Sequence, residues 1–154
     1  MSDAPSSTMI ERELHFTRTF DAPRDLVWAC WTDPDHFAAW WGPAHFSTPR
    51  DSVEIELRAG GIFKATMVGP EGTEYPSTGY IEEVTPQDRL VLREDGTDHP
   101  MIESQRTVVS FNDLGDGRTE LVIDVTMVCT EELIPLAESG WSSTLDKLAA
   151  VLAR

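Results

Sequence analysis

The sequence predicts an α+β fold in which a curved antiparallel sheet of about seven strands holds a long C-terminal helix across its concave face. Two short helices are expected after the first strand. Three observations predict this arrangement. Most of the chain alternates apolar and polar residues between turn signals, as half-buried strands do. One early stretch, 20–43, carries helix start and stop signals, and after about Thr130 the apolar residues recur with helical spacing.

The composition fits one globular domain. The chain has 154 residues, of which 40% are hydrophobic, and we expect a disordered polar tail at 1–8 followed by a single domain at 9–154. It contains no run of about 18 apolar residues and no secretory signal. Cys30 and Cys129 are isolated, so we expect a cytoplasmic protein with reduced, buried thiols. A net charge of −15 argues against binding to nucleic acid or to anionic membranes, because both require positive charge.

The first strand is predicted at Ile10–Phe20, where alternate residues face inward. Pro23 then marks the start of a short helix, because a proline at the first helical position sacrifices no hydrogen bond. Asp33 and Pro34 repeat the signal as the N-cap and first residue of a second short helix. Gly42 ends that helix, since glycine readily adopts the left-handed conformation. Four of the five tryptophans lie in this stretch, so the two helices should cover a large concave surface.

Six further strands follow, and a turn signal separates most of them. They are predicted at Ser52–Arg58, Ile62–Val68, Thr78–Val84, Arg89–Arg93, Gln105–Asn112 and Thr119–Val128. Glycine-rich turns, such as 59–61, and a proline turn at 85–88 join neighbouring strands directly. Consecutive strands joined by short turns predict a meandering antiparallel sheet.

The C-terminal helix is predicted to begin near Pro135, because proline is tolerated in a first helical turn. Trp141, Leu145, Leu148 and Leu152 form one apolar stripe with spacings of 4, 3 and 4 residues. Charged residues are expected on the opposite side of this helix: Glu138, Asp146, Lys147 and Arg154. About 18 residues make a rod of about 27 Å, which is long enough to cross a sheet.

A sheet that holds a single helix does not close its interior completely, so we expect an apolar cavity between the helix and the sheet. Phe63 and Met67 should face this cavity, because Lys64 between them should face water. The side chains expected around the cavity, as ligand-binding residues, are Trp40, Trp41, Phe63, Met67, Tyr80, Trp141 and Leu145. The alternative is that these side chains fill a solid core.

Catalytic and metal-binding patterns are weak, and we expect no catalytic residue, metal or cofactor. The four histidines are scattered along the chain: His15, His36, His45 and His99. None of them has the spacing of metal ligands, and the acidic turn at 112–117 lacks the closing glutamate of a calcium loop. A carboxylate such as Glu82 beside an inward Arg106 would form an acid–base pair, whereas outward side chains would form a solvated ladder.

The early helical stretch also resembles a known family. The motif consists of a strand that ends at Phe20, followed by Ala22-Pro23, Val27-Trp28, Trp31-Thr32-Asp33-Pro34 and Trp40-Trp41-Gly42-Pro43. This pattern is similar to that of the homologues of the activator of heat-shock protein 90 ATPase, a branch of the START-like (SRPBCC) superfamily. The resemblance covers nearly the whole chain after about Thr8. It implies the helix-grip fold, which has the same order of elements that the sequence pattern predicts.

The resemblance implies three kinds of function. Members of the superfamily hold lipids, hormones or polyketides in the cavity, so we expect this chain to bind an apolar or aromatic small molecule, as a monomer or homodimer. A co-chaperone role is the second possibility, but the eukaryotic activator uses a separate N-terminal domain for which this chain has no room. The third is an enzyme of the cyclase or aromatase type. Those enzymes rely on polar groups inside the cavity, and the sequence supplies few.

Overall fold

A computed structural model describes residues 8–96 and 101–153. Within these residues one curved antiparallel sheet contains β1 (Met9–Phe20), β2 (Glu54–Ile55), β3 (Ile62–Val68), β4 (Glu74–Thr85), β5 (Arg89–Asp95), β6 (Ile102–Gly115) and β7 (Arg118–Thr130). The helices are α1 (Arg24–Thr32), α2 (Pro34–Ala38) and α3 (Leu133–Leu152), and a short 3-10 helix spans Arg50–Ser52. The predicted α+β fold class is confirmed.

The strand order explains why α1 and α2 lie where they do. The sheet order is β1-β7-β6-β5-β4-β3-β2, so β2 to β7 form a meander and β1 lies beyond the last strand. β1 pairs with β7 along its whole length, from Met9 opposite Thr130 to Phe20 opposite Thr119. Strands β1 and β2 are therefore at opposite edges of the sheet. The segment between them, which contains both short helices, must cross from one edge to the other, and it covers one end of the concave face.

The start signals of the two short helices are confirmed, with a shift of one residue for the first. The predicted end of the second helix at Gly42 is wrong, because α2 ends at Ala38. Pro23 is the residue before α1 and has an extended backbone, so the helix begins at Arg24. The carboxylate of Asp33 accepts hydrogen bonds from the backbone N–H groups of Asp35 (2.9 Å) and His36 (3.4 Å), as an N-cap does. Gly42 has a φ of 103°, which only glycine adopts without strain.

The core is centred on an aromatic cluster around Trp31, which is fully buried. The ring of Trp31 meets the ring of Trp40 edge to face at 4.9 Å and stacks on that of Trp141 at 6.4 Å. Trp40 is also fully buried, and its indole N–H donates to the carbonyl oxygen of Cys30 at 2.8 Å. The thiols of Cys30 and Cys129 are both buried and unpaired, as expected from the sequence.

The predicted strand Ser52–Arg58 is wrong in length, because only Glu54–Ile55 pair regularly with β3. The glycines that follow do form a turn, in which the N–H of Gly61 donates to the carbonyl oxygen of Arg58 at 2.8 Å. Gly60 and Gly61 also exchange backbone hydrogen bonds with Ile81 in β4, at 2.7 and 2.8 Å. A Cβ atom on Gly61 would lie 2.1 Å from the carbonyl oxygen of Glu56, so this close approach of two backbones requires glycine.

Helix α3 begins at Leu133, two residues before Pro135. Along the predicted stripe, Leu145 and Leu148 are fully buried, whereas Trp141 and Leu152 are half-buried. Among the charged residues expected on the opposite side, Glu138 and Asp146 are exposed and Arg154 lies outside the described residues. No helix in the described part of the chain is long and apolar enough to cross a membrane.

Lys147, which is also expected on the side opposite the apolar stripe, packs against the segment after α2. Its side chain is half-buried, and the ammonium group donates to the carbonyl oxygens of Phe46 (2.9 Å) and Pro43 (3.3 Å). The helical period places residue 147 on the same side as Ser143 and Gly140, which face the segment after α2. A long flexible stem lets the charged head reach the carbonyl groups there.

Candidate ligand-binding cavity

A cavity of about 680 Å³ lies between the N-terminal half of α3, the segment after α2 and the concave face of the sheet. Strand β3 contributes Phe63, Ala65 and Met67, which alternate with outward-facing residues. Helix α3 contributes residues from Leu133 to Thr144. The wall is mainly apolar, and its aromatic part includes Phe37 and Trp41, whose rings stack at 4.8 Å.

Five of the seven residues expected around the cavity lie at its wall: Trp41, Phe63, Met67, Tyr80 and Trp141. The other two, Trp40 and Leu145, are fully buried beneath the wall. Trp40 is directed into the core by its hydrogen bond to Cys30. Leu145 is one helical turn beyond Trp141, where α3 packs closely on the sheet. Ligand binding by any of the seven stays a prediction.

Tyr80 lies at the wall, but its hydroxyl group is engaged on the outer face of the sheet. It donates to the carboxylate of Asp95 at 3.4 Å, and the guanidinium group of Arg93 donates to the same carboxylate at 3.0 Å. The inward position on β4 belongs to the neighbouring Gly79, which has no side chain. A Cβ atom there would lie 2.4 Å from the carbonyl oxygen of Arg93, so glycine leaves bare backbone at this part of the wall.

The cavity wall also contains a polar patch that sequence reasoning missed. The patch consists of Ser77 in β4, Glu94 in β5, and Gln105 and Thr107 in β6. One carboxylate oxygen of Glu94, Oε1, accepts hydrogen bonds from Ser77 Oγ (3.1 Å) and from Gln105 Nε2 (2.9 Å). Glu94 and Gln105 are directly opposite in the strand pairing. The sheet therefore holds a single carboxylate in a defined position inside a mainly apolar cavity.

The sequence does not predict the polar patch because two predicted strands are too short. The strand predicted at Thr78–Val84 begins one residue after Ser77, and the strand predicted at Arg89–Arg93 ends one residue before Glu94. In the structure both strands continue, and the inward register on β5 runs Leu90, Leu92 and Glu94. Extending the period-two alternation by one residue on each strand would have placed both side chains inside.

The mouth of the cavity is formed by the segment after α2, which we call the covering segment (42–47). Phe46 in this segment packs against Tyr75 of β4, with ring centroids 5.7 Å apart, and Leu136 of α3 nearby at the wall is 64% exposed. The backbone N–H of Ala44 donates to Ser143 Oγ at 3.0 Å, next to the bonds from Lys147. Burial lowers the pKa of Lys147, because removing the ammonium group from water disfavours its charged form.

Glu82 and Arg106 do pair, but on the outer face and not in the cavity. The guanidinium group of Arg106 donates to both carboxylate oxygens of Glu82, at 3.0 and 2.9 Å, and Arg93 lies 3.5 Å from one of them. The hydrogen bond from Arg106 is the main reason why the pKa of Glu82 is lowered. Both side chains are about one-third exposed, so this is the solvated ladder and not the inward acid–base pair.

A second cluster of polar side chains lies on the sheet. Its three members form a chain of contacts in the order hydroxyl, imidazole and carboxylate, as in a catalytic triad. Thr17 Oγ1 lies 3.1 Å from His15 Nε2, and His15 Nδ1 lies 2.6 Å from the carboxylate of Asp124. The side chains of His15 and Asp124 are more than half exposed and lie outside the cavity wall. In residues 8–96 and 101–153, no three histidine, cysteine, aspartate or glutamate side chains converge as metal ligands. His99 lies outside these residues.

Comparisons with known proteins identify the family of this chain. The sequence profile of the family described as "Activator of Hsp90 ATPase homolog 1-like protein" matches residues 21–153. Among curated protein sequences, none is significantly similar to this chain.

Solved structures of several bacterial proteins share the fold. A crystal structure of protein NE0264 from Nitrosomonas europaea is 27% identical over 92% of this chain and 94% of its own, with a TM-score of 0.75. The AHSA1 protein from Silicibacter pomeroyi is 25% identical over 92% and 98%, with a TM-score of 0.79. Protein CV1439 from Chromobacterium violaceum is 23% identical over 92% and 97%, with a TM-score of 0.81. The family profile covers most of the chain, and the chain therefore belongs to the activator of Hsp90 ATPase homolog 1-like family, with the START-like (SRPBCC) fold.

Proposed function

We propose that this protein binds an apolar small molecule with an aromatic part in the cavity between α3 and the sheet. The observation that carries the proposal is a cavity of about 680 Å³ with a mainly apolar wall that includes the polar patch around Glu94. Sites for small molecules generally have this size and composition, with a few polar groups that fix orientation. A solid core would have supported a role in protein interaction instead.

The aromatic side of the wall suits a flat ring. Trp41 and Trp141 meet edge to face at 5.6 Å, and Phe37 and Phe63 also meet edge to face, at 5.1 Å. A ring placed among these side chains would gain burial plus about 0.5–1.5 kcal/mol for each well-oriented aromatic contact. Part of this gain is offset by the loss of translational and rotational freedom on binding. We therefore expect selectivity to depend on the polar patch and affinity to depend on the apolar wall.

A panel of lipophilic aromatic compounds would test the proposal. Binding should change the fluorescence of Trp41 and Trp141 and raise the melting temperature, because a ligand that binds the folded state stabilises it. Ala65→Phe should lower the affinity of any bound compound about tenfold or more, since the new ring would fill part of the cavity.

Thr66→Phe is the matched control, because it places the same ring on the opposite face of the same strand. It should leave affinity within about twofold of the unmodified protein. The proposal is wrong if no compound in the panel alters fluorescence or melting temperature. If no compound binds and this protein stimulates ATP turnover by heat-shock protein 90, the function of this protein is that of a co-chaperone.

A further inference from the structure

In the part of the chain that the structure describes, no positively charged side chain pairs with the polar patch in the cavity. Ser77 and Gln105 each use a donor on Oε1 of Glu94, and the second oxygen, Oε2, accepts no hydrogen bond from the described residues. The amide oxygen of Gln105 is also without a partner among them. The patch therefore offers the interior of the cavity two free acceptor atoms, one of which belongs to a charged group.

The nearby basic side chains are engaged elsewhere. Arg93 is the neighbour of Glu94 in β5 and also contributes to the cavity wall, but its guanidinium group binds Asp95 and Glu82 on the outer face. The ammonium group of Lys147 binds the carbonyl oxygens of the covering segment. Among the described residues, no basic side chain forms an ion pair with Glu94. The carboxylate is half-buried, so its charge is compensated by water until a ligand displaces that water.

We propose that the ligand carries a protonated amine, which binds Oε2 of Glu94 while its aromatic body lies against the apolar wall. This inference rests on the proposed function and names the chemical class that the cavity selects. An entirely apolar ligand would cover Glu94 and leave a carboxylate oxygen without a partner, which is costly. A ligand with its own carboxylate would place two like charges together. A protonated amine supplies both the donor and the opposite charge, and aromatic rings such as Trp41 also attract organic cations.

Three probes of nearly the same shape test this inference: naphthylmethylamine, naphthylmethanol and naphthoic acid, with the same ring attachment. Their affinities are measured by titration calorimetry at neutral pH and physiological ionic strength. The amine should bind about tenfold more tightly than the alcohol, as expected for a charge-assisted hydrogen bond, and the acid should bind more weakly than the alcohol. Glu94→Gln should lower the affinity of the amine about tenfold and change that of the alcohol less than about twofold.

A control is needed because a protein of net charge −15 attracts any cation. Glu103→Gln provides it, since Glu103 is an exposed residue of the adjacent strand β6 outside the cavity wall, and the change in net charge is the same. This variant should leave all three affinities within about twofold of those of the unmodified protein.

The possible results separate this inference from the proposed function. If the alcohol binds and the amine binds no more tightly, the inference is wrong while the cavity remains a binding site. The inference is also wrong, and the cavity remains a binding site, if Glu103→Gln lowers the affinity of the amine as much as Glu94→Gln does. If none of the probes binds, the proposed function fails as well. If Glu94→Gln does not fold, the preference for the amine over the alcohol is measured again in the unmodified protein at about 1 M salt, and the inference is wrong if the preference disappears, because salt screens the attraction of the net charge more than a half-buried ion pair.

Discussion

The ammonium group of Lys147 donates a hydrogen bond to the carbonyl oxygen of Phe46 at 2.9 Å, and this bond joins α3 to the covering segment of the cavity. The same group reaches the carbonyl oxygen of Pro43 at 3.3 Å. Phe46 in turn packs on Tyr75 across the mouth. Together with the bond from Ala44 to Ser143, this side chain joins α3 to the segment at the mouth of the cavity.

We first predict that Lys147→Met loosens the covering segment. The stem of the side chain is kept, but two carbonyl groups lose their donor, so amide hydrogen exchange in 42–47 should become faster. The free energy of unfolding should fall by about 1 kcal/mol, because relief from burying the charge offsets part of the lost hydrogen bonds. Exchange measured by mass spectrometry and a urea titration would provide the two values.

Lys64→Met is the matched control, because the chain contains a second lysine whose role is different. Lys64 is 44% exposed and lies 3.5 Å from Glu54 at the edge of the sheet. Its replacement should change the free energy of unfolding by less than about 0.5 kcal/mol and leave exchange in 42–47 unchanged. Equal effects of the two substitutions would mean that the bonds from Lys147 do not hold the covering segment.

The second prediction concerns Trp141, which is half-buried and stacks on Phe16 at 5.8 Å and on Trp31 at 6.4 Å. Trp141→Ala should lower the free energy of unfolding by about 2–3 kcal/mol, less than for a fully buried tryptophan because part of the ring faces the cavity. Leu136→Ala at the mouth should cost less than about 0.5 kcal/mol. A loss below about 1 kcal/mol for Trp141→Ala in a denaturant titration would show that these stacked rings contribute little.

The sequence predicts the fold well because its signals are local. Alternation of residues in β1, the capping carboxylate of Asp33 and the left-handed Gly42 each depend on a few neighbouring residues. The length of β2 is not predictable in this way. It is decided by hydrogen bonds between Gly60, Gly61 and Ile81, residues about twenty positions apart in the chain.

The candidate site is predicted less completely, for two physical reasons. Apolar wall residues such as Phe63 and Met67 follow from alternation, but the distinction between wall and core at Trp40 depends on a hydrogen bond to Cys30 across the turn between two helices. The polar patch depends on the register of three neighbouring strands, and a shift of one residue moves a side chain to the other face. The inward position of Glu94 follows from alternation once β5 is extended by one residue, but its contacts with Ser77 and Gln105 follow only from the strand pairing.

The third prediction is that Glu82 stabilises the folded protein near neutral pH and that this stabilisation is lost in acid. Its pKa in the folded protein is lowered, chiefly by the hydrogen bond from Arg106. The contribution is therefore present above the pKa of an unfolded glutamate and is lost as the pH falls through the lower folded value. Glu82→Gln should be less stable than the unmodified protein near neutral pH, and the difference should shrink in acid. Urea titrations at about pH 6 and about pH 3 would measure both differences.

Glu54→Gln is the comparison for this experiment, since Glu54 has only a long contact of 3.5 Å with Lys64. Its stability difference from the unmodified protein should be small at both pH values, because exposed ion pairs contribute about 0–1 kcal/mol. A difference for Glu82→Gln that stays constant between the two pH values would mean that the bidentate pair does not stabilise the fold through its charge.

The last prediction concerns alkaline conditions and the thiol of Cys30. Burial, together with the nearby carboxylate of Asp33, raises the pKa of this thiol from 9.0 to about 11. In the unfolded chain the thiol loses its proton from about pH 9, whereas in the folded protein it keeps the proton to about pH 11. Within this window the unfolded state binds fewer protons, so the free energy of unfolding falls as the pH rises.

Cys30→Ala removes the contribution of the thiol to the pH dependence of stability. It keeps the backbone carbonyl group that accepts the hydrogen bond from the indole N–H of Trp40. At about pH 8 the variant should be less stable than the unmodified protein, because a buried side chain is shortened, and by about pH 10.5 the difference should narrow. Val27→Ala, another substitution of a buried residue in α1, should show a difference that does not depend on pH, since valine does not titrate. Urea titrations followed by tryptophan fluorescence in the presence of a reducing agent would measure these values. If the difference for Cys30→Ala were the same at both pH values, the thiol would titrate alike in the folded and unfolded chain, and its burial would have no effect on alkaline stability.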